Sequence, residues 1–303
     1  MQGLARVAMR GPLPAIFLIA SFALLALPFG PALLVSGALL GLVTLRHGAT
    51  AGLQALAGAG VLAAVAVYGL TGRLGPAAVT VVASWIPVWV AAAVLRRTGS
   101  QGRALAGLGF WVVVFALAMR VRYPDVRGFW RERLSALTAM VEAEGGKFLT
   151  PEQVELYGNL MHGASVALIY LVLASMLLLA RAWQAGLYNP GGFRSEFHAL
   201  RLPGWISPVG AMVALASLAL SVAERAGGLA DDAIIVLLLM FAVQGLAVVH
   251  AVADAKALTR LWLVGLYILM ILVPQLVMPL LATAGIADRI VDFRRRMGRP
   301  GQA

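Results

Sequence analysis

The sequence has no cysteine, which removes disulfides, thiolate metal sites and lipidated cysteine anchors together. It also has little charge. Asp, Glu, Lys and Arg make up 12% of the residues against 61% hydrophobic ones, and a soluble domain carries about 25% charge. Acids are scarcer than bases, 13 against 24 Lys and Arg. Every acid lies at the edge of an apolar run or in a loop, whereas a proton-coupled transporter usually buries one. The four histidines, His47, His162, His198 and His250, form no HxxxH or HExxH pair, so neither a metal nor another cofactor is expected. No apolar run places a nucleophile and a base together at a usable spacing, so no catalytic residue is assigned and the chain is read as a non-enzyme.

What is present is apolar length. Uncharged runs extend over 11–45, 47–72, 74–95, 104–119, 156–180, 202–223, 233–253 and 261–287, and a helix needs about 20 residues to cross the hydrocarbon core. The net charge of +11 sits in short clusters at the ends of these runs. Such spacing fits a bilayer with anionic headgroups and argues against a nucleic-acid partner. Arg6 and Arg10 precede the first run, which is read as a span rather than a secretory signal. That run is too long for one helix and is interrupted at Pro28, Phe29, Gly30 and Pro31, so it divides in two. The chain is therefore expected to be all-α, a polytopic transmembrane helical bundle forming one integral membrane domain over 1–303. Its spans are placed at about 13–27, 31–45, 49–70, 77–95, 104–121, 156–182, 206–223, 233–253 and 261–284.

Interfacial amphipathic helices join the spans. Asp125 can cap a surface helix over 125–144 whose apolar positions Val126, Trp130, Leu134, Leu137 and Val141 recur every three to four residues. Thr150-Pro151-Glu152-Gln153 carries the signature of a capping box opening the next helix. Phe193, Phe197 and Leu200 oppose Arg194, Glu196 and Arg201 in a short segment after the Asn189-Pro190-Gly191-Gly192 turn. A C-terminal interfacial segment over 286–296 sets Ile286, Ile290 and Phe293 against Asp288, Asp292 and Arg294 to Arg296. Gly37 and Gly41 stand at GxxxG spacing in the second span, and Ala51, Ala55, Ala59 and Ala63 form a small-residue ladder in the third.

Leu45-Arg46-His47-Gly48, the stretch Gln244 to His250 (QGLAVVH) and Gly285 to Arg296 (GIADRIVDFRRR) resemble the YybS-like family of bacterial membrane proteins, a domain of unknown function. Tyr188 to Leu202 resembles a proteobacterial branch of it. The resemblance implies a multi-pass protein of the bacterial inner (cytoplasmic) membrane. The first six spans are also similar in layout to the S components of energy-coupling-factor transporters, with two short opening helices and a glycine-marked third. The first span here lacks the AxxxA pairs that dock the coupling subunit in that family, and the later three spans have no counterpart in a six-helix S component.

Two functions compete on these features. Polar residues inside apolar runs, Gln244, His250 and Gln275, together with broken helices, point to a non-catalytic binding or transport-related subunit for a small hydrophobic or amphipathic ligand. In that reading Gln244 and Gln275 form a polar floor, and Tyr157, Asn159 and His162 a polar face where the sixth span begins. The alternative is a scaffold holding membrane-protein partners of the cell envelope. Gln244 and His250 are six positions apart, about 120° around a helix, so they are expected to serve different contacts.

Overall fold

Proline and glycine set the helix boundaries. The computed structural model describes residues 2–222, 228–291 and 294, and among these every regular element is a helix. Pro12 opens α2 (Pro12–Leu25), after a short α1 (Gln2–Ala8) that the apolar runs do not announce. α3 (Ala32–His47) ends at Gly48, whose φ of 101° suits a residue without a Cβ, and α4 (Ala49–Thr71) follows at once. α5 (Gly75–Thr80) runs through a π turn over Val81–Trp85 into α6 (Ile86–Thr98). Pro87 has no N–H for the regular ladder, and immediately before it the Ile86 amide reaches back five residues to the Val81 carbonyl.

α7 (Gln101–Arg122), α8 (Val126–Ala143) and α9 (Pro151–Tyr188) follow. Asp125 caps α8 by accepting from the Gly128 amide at 2.8 Å. The capping box at α9 is formed in both directions: Thr150 N–H donates to Gln153 Oε1 at 2.9 Å, and Gln153 N–H to Thr150 Oγ1 at 3.3 Å. With 38 residues α9 is about 57 Å long, so it extends well past a hydrocarbon core of about 30 Å. α10 (Gly192–His198), α11 (Ile206–Val222) and α12 (Leu229–Ala255) complete the middle of the chain.

The ninth run, placed at 261–284 with Pro274 and Pro279 around Gln275 suited to a kinked or re-entrant helix, is divided in two. It forms α13 (Arg260–Leu272) and α14 (Pro274–Val291), separated at Val273. Pro274 disfavours helical geometry at the preceding residue, and Val273 takes φ −136° and ψ 58°. Of the segment expected over 286–296, Asp292, Phe293, Arg295 and Arg296 lie outside the described residues.

Five helical stretches among the described residues are long and apolar enough to cross a membrane: α4, the continuous Gly75–Thr98, α7, α9 and α12. α2, α3, α11 and α13 are apolar but shorter. Large apolar side chains such as Phe17, Val65, Leu70, Phe110 and Leu168 are exposed, as a bilayer requires of its solute. The protein is a helical membrane bundle.

The chain clusters into two compact units, one of residues 1–109, 171–206 and 238–303, the other of 110–170 and 207–237. In the first, α2, α3, α4 and α6 pack together. Ser36 Oγ donates to the Ile19 carbonyl at 2.8 Å and accepts from Trp85 Nε1 at 3.1 Å, so one buried hydroxyl ties three segments. The GxxxG pair faces α9: a Cβ on Gly37 would meet Met176, and one on Gly41 would stand 2.9 Å from the Ala180 Cβ.

In the second unit α8 packs through Val126, Trp130, Leu134 and Thr138, while Leu137 and Met140 stay exposed. Trp130 therefore turns toward protein, and Leu137 departs from the apolar face expected of it. Those two exposed residues are the ones to meet lipid if α8 lies on the membrane. Because the chain has no cysteine, a nitroxide can be placed at Met140→Cys alone. Its relaxation should respond more to oxygen than to a water-soluble nickel chelate; the opposite order would remove α8 from the headgroup region.

Candidate functional site

In the first unit a groove of about 760 Å³ lies along the last turns of α12, lined also by α9, α10 and α13. Its apolar part comes from Leu178, Leu246, Leu258, Leu263 and Val264, and its polar end from Arg194, His198, His250, Asp254, Arg260 and Tyr267. The polar end is built from three separate stretches of sequence. His250 Nε2 and the Tyr267 hydroxyl are 2.9 Å apart, and the His250 ring stands edge-on to Phe197 at 5.6 Å between centroids. Asp254 pairs with Arg194, while His198 Nδ1 lies 3.6 Å from Asp254 Oδ2, beyond a hydrogen bond. Burial pushes the His198 imidazole below its ordinary value, the Asp254 charge opposes this, and Arg194 and Arg294 add to it.

A second, more apolar groove of about 750 Å³ is lined by Val248, Val249 and Val252 of α12 and by Trp262, Leu266 and Leu269 of α13. α13 thus stands between two grooves, and none of its side chains is buried.

Deeper along α12, Gln244 is 1% exposed and engaged at both ends of its amide. Its Oε1 accepts from the Leu202 amide at 2.8 Å, and its Nε2 donates to the Gly285 carbonyl at 2.7 Å. The neighbouring glycines let the two backbones touch: a Cβ on Gly245 would fall 1.8 Å from the Leu281 carbonyl oxygen, and one on Gly285 2.2 Å from that of Phe241. At the end of α14, buried Asp288 pairs with Arg294, whose Nη1 donates to the carbonyls of His198 and Leu200 at 2.6 and 3.0 Å. Arg289 reaches the carbonyls of Leu202 and Pro203. α14 is clamped to the 198–203 segment by charge-assisted bonds.

The second unit holds a buried ionic constellation. Asp232 in the first turn of α12 is 3% exposed. Its Oδ2 accepts from Arg120 Nε of α7 at 2.6 Å and lies 3.1 Å from His162 Nε2 of α9. Beside it Asp231 accepts from the Ser217 hydroxyl of α11. Asp232 and Asp288 are at the edges of apolar runs in sequence, and both are buried in space.

The structure separates several residues that the sequence groups. Gln275 is exposed and Gln244 is spent on backbone partners, so the two form no common polar floor. Tyr157 and Asn159 are exposed, Asn159 bonding Glu155 at 3.2 Å, whereas His162 is buried against Asp232. Five positions at about 100° each turn His162 roughly 140° from Tyr157, so the three do not share one face. His250 and Gln244 make separate contacts, as their spacing implies, with Tyr267 as the histidine's partner. Arg120, Asp232 and Tyr267 carried no sequence motif, and His198 lies in the Tyr188 to Leu202 stretch without being singled out there. A signal for the first two was the recurrence of charge at the start or end of apolar runs that alternate in direction. Among the described residues no group of three or more His, Cys, Asp or Glu is placed to hold a metal ion.

No curated protein and no solved structure matches the chain. Residues 130–289 match a family described as Predicted membrane protein (DUF2232). The matched region runs from Trp130 on α8 to Arg289 on α14. It covers the lining of the polar groove, the Gln244 contact, His162 and Asp232, and more than half of the 303 residues. The chain belongs to DUF2232, a family of predicted membrane proteins.

Proposed function

We propose that this membrane protein is a non-catalytic, transport-related subunit that binds a small amphipathic ligand in the polar-ended groove beside α12. The observation that carries the reading is the groove itself. Its volume of about 760 Å³ falls in the range of about 300–1,000 Å³ typical of small-molecule sites, and it joins an apolar wall to a few convergent polar groups. A ligand with an apolar body and a polar head fits that lining: the body would lie along Leu246, Leu263 and Val264, and the head would meet His198, His250 and Tyr267. The resemblances to YybS-like proteins and to the layout of S components belong to the same reading, as does a place in the bacterial cytoplasmic membrane. A scaffold for envelope proteins is the second reading, favoured by the long exposed apolar faces of α4 and α11.

The test is purification of the full chain from bacterial membrane in mild detergent, followed by mass spectrometry of bound small molecules and proteins. A specific amphipathic molecule should co-purify, and Leu246→Trp, which fills the groove, should lower its amount about tenfold while the chain still elutes as a single folded species. A stoichiometric protein partner with no small molecule would establish the scaffold instead. Equal retention in Leu246→Trp would place the ligand elsewhere.

A further inference from the structure

α13 turns a different side to each of the two grooves. Arg260, Val264 and Tyr267 line the polar-ended one, and Trp262, Gly265, Leu266 and Leu269 the apolar one. At about 100° per residue these two sets centre on opposite sides of the helix. Ala253, Leu258 and Leu263 line both grooves, so the two adjoin around the turn that joins α12 to α13. With 13 residues α13 is about 20 Å long, against a hydrocarbon core of about 30 Å. It is matched to one leaflet rather than to the whole bilayer.

The same turn carries positive charge without a counter-charge. Asp254 is paired with Arg194, which leaves Lys256 and Arg260, both exposed. Among the described residues neither of these side chains has an ion-pair or hydrogen-bond partner. Trp262, 69% exposed, follows Arg260 by two positions. An exposed tryptophan beside basic residues is the composition of the headgroup level.

We propose that the two grooves form one site for an anionic phospholipid that straddles α13, with one acyl chain in each groove and the phosphate at Lys256 and Arg260. The proposal rests on the reading of the polar-ended groove as a ligand site, and it adds the second groove, the second chain and the charge of the head. A one-chain amphiphile would leave the apolar groove beside Val248, Val252 and Trp262 unfilled. An uncharged head would leave both cations unmatched. Within the polar-ended groove Tyr267 and His250 are already bonded to each other at 2.9 Å, so they meet the uncharged glycerol esters and the charge falls to the turn.

The experiment is native mass spectrometry of the full chain in mild detergent, titrated with phosphatidylglycerol, with phosphatidylcholine of the same chains, and with one-chain lysophosphatidylglycerol. One phosphatidylglycerol per chain should be held about tenfold more tightly than either of the others. Arg260→Gln should weaken it about fivefold and leave phosphatidylcholine unchanged. Gly265 can be enlarged without disturbing the packing, since a Cβ there would meet nothing within 4 Å. Gly265→Trp, which fills the apolar groove, and Leu246→Trp, which fills the other, should each lower phosphatidylglycerol binding about tenfold. Loss in Leu246→Trp but not in Gly265→Trp, or lysophosphatidylglycerol held as tightly as the two-chain lipid, overturns the proposal and leaves the polar-ended groove a one-chain site. Equal binding of phosphatidylglycerol and phosphatidylcholine overturns it as well, because the cations then read no charge. Adducts that neither groove variant changes are bulk lipid and also overturn it, while the polar-ended groove stands or falls by its own co-purified ligand.

Discussion

Gly245→Ala is expected to lower thermal stability sharply, because the added Cβ has nowhere to go. It would sit 1.8 Å from the Leu281 carbonyl oxygen, 2.6 Å from its carbon and 3.1 Å from the Gly285 amide. All three are backbone atoms of α14, so no rotamer change relieves the clash. Overpacking a core with side chains that can adjust costs about 1–3 kcal/mol; here two helices must part. Parting them also stretches the Gln244 bond to the Gly285 carbonyl, now 2.7 Å. A buried group left unpaired adds about 1–3 kcal/mol, so the total should exceed about 3 kcal/mol. Gly265 on α13, whose Cβ would meet nothing within 4 Å, is the control. Gly265→Ala should be neutral or slightly stabilising, since alanine is favoured over glycine in a helix by about 1 kcal/mol. Melting curves of both variants in one detergent decide it: a Gly245→Ala melt matching the wild type would mean that α12 and α14 do not touch as described.

The second large effect is expected at Asp232→Ala. Removing the carboxylate strands the Arg120 guanidinium, which now bonds Oδ2 at 2.6 Å, and also frees His162 Nε2. Breaking a buried ion pair by deleting one partner costs about 3–5 kcal/mol. The lower end applies, because Arg120 is 23% exposed and can turn partly toward water. The loss should be strongly non-additive. Once Asp232 is gone, Arg120→Gln should cost little more, and a double-mutant cycle reads the difference as a coupling energy. The exposed Arg131–Glu155 pair is the contrast, where either deletion should barely move the melt. Additive losses at Arg120 and Asp232 would remove the ion pair as a stabilising contact.

Most of the helices were legible, because the bilayer forbids charge over lengths that a reader can count. Proline, glycine and a capping box then fixed the boundaries: Pro12 opens α2, Gly48 separates α3 from α4, and Thr150 with Gln153 starts α9. What stayed hidden is what one dimension cannot carry. Asp232 reads as a residue at the edge of a run, and its burial comes from α7 and α9, which are distant in sequence. The groove brings residue 194 to residues 250 and 267, and although the first two lie in stretches that the sequence singles out, nothing in the chain joins those stretches to each other or to Tyr267. Gln275 looked like Gln244 in its apolar surroundings, but the break at Val273 set α14 so that Val277 and Leu281 face inward and Gln275 outward. The GxxxG spacing of Gly37 and Gly41 was visible, but its partner, α9, was not.

The π turn before Pro87 has a consequence for length. Ala77 and Trp85 are both buried although they are eight positions apart, a spacing that in a regular helix drifts by about 80°. The wide turn over Val81–Trp85 absorbs one residue and keeps them in phase. The span from Gly75 to Thr98 therefore contains a residue beyond what its regular turns require. A chain one residue shorter between Val81 and Trp85 would close into an ordinary helix with Ala77 and the tryptophan still on the same side, so this is the point where the span can change length without rotating its two ends.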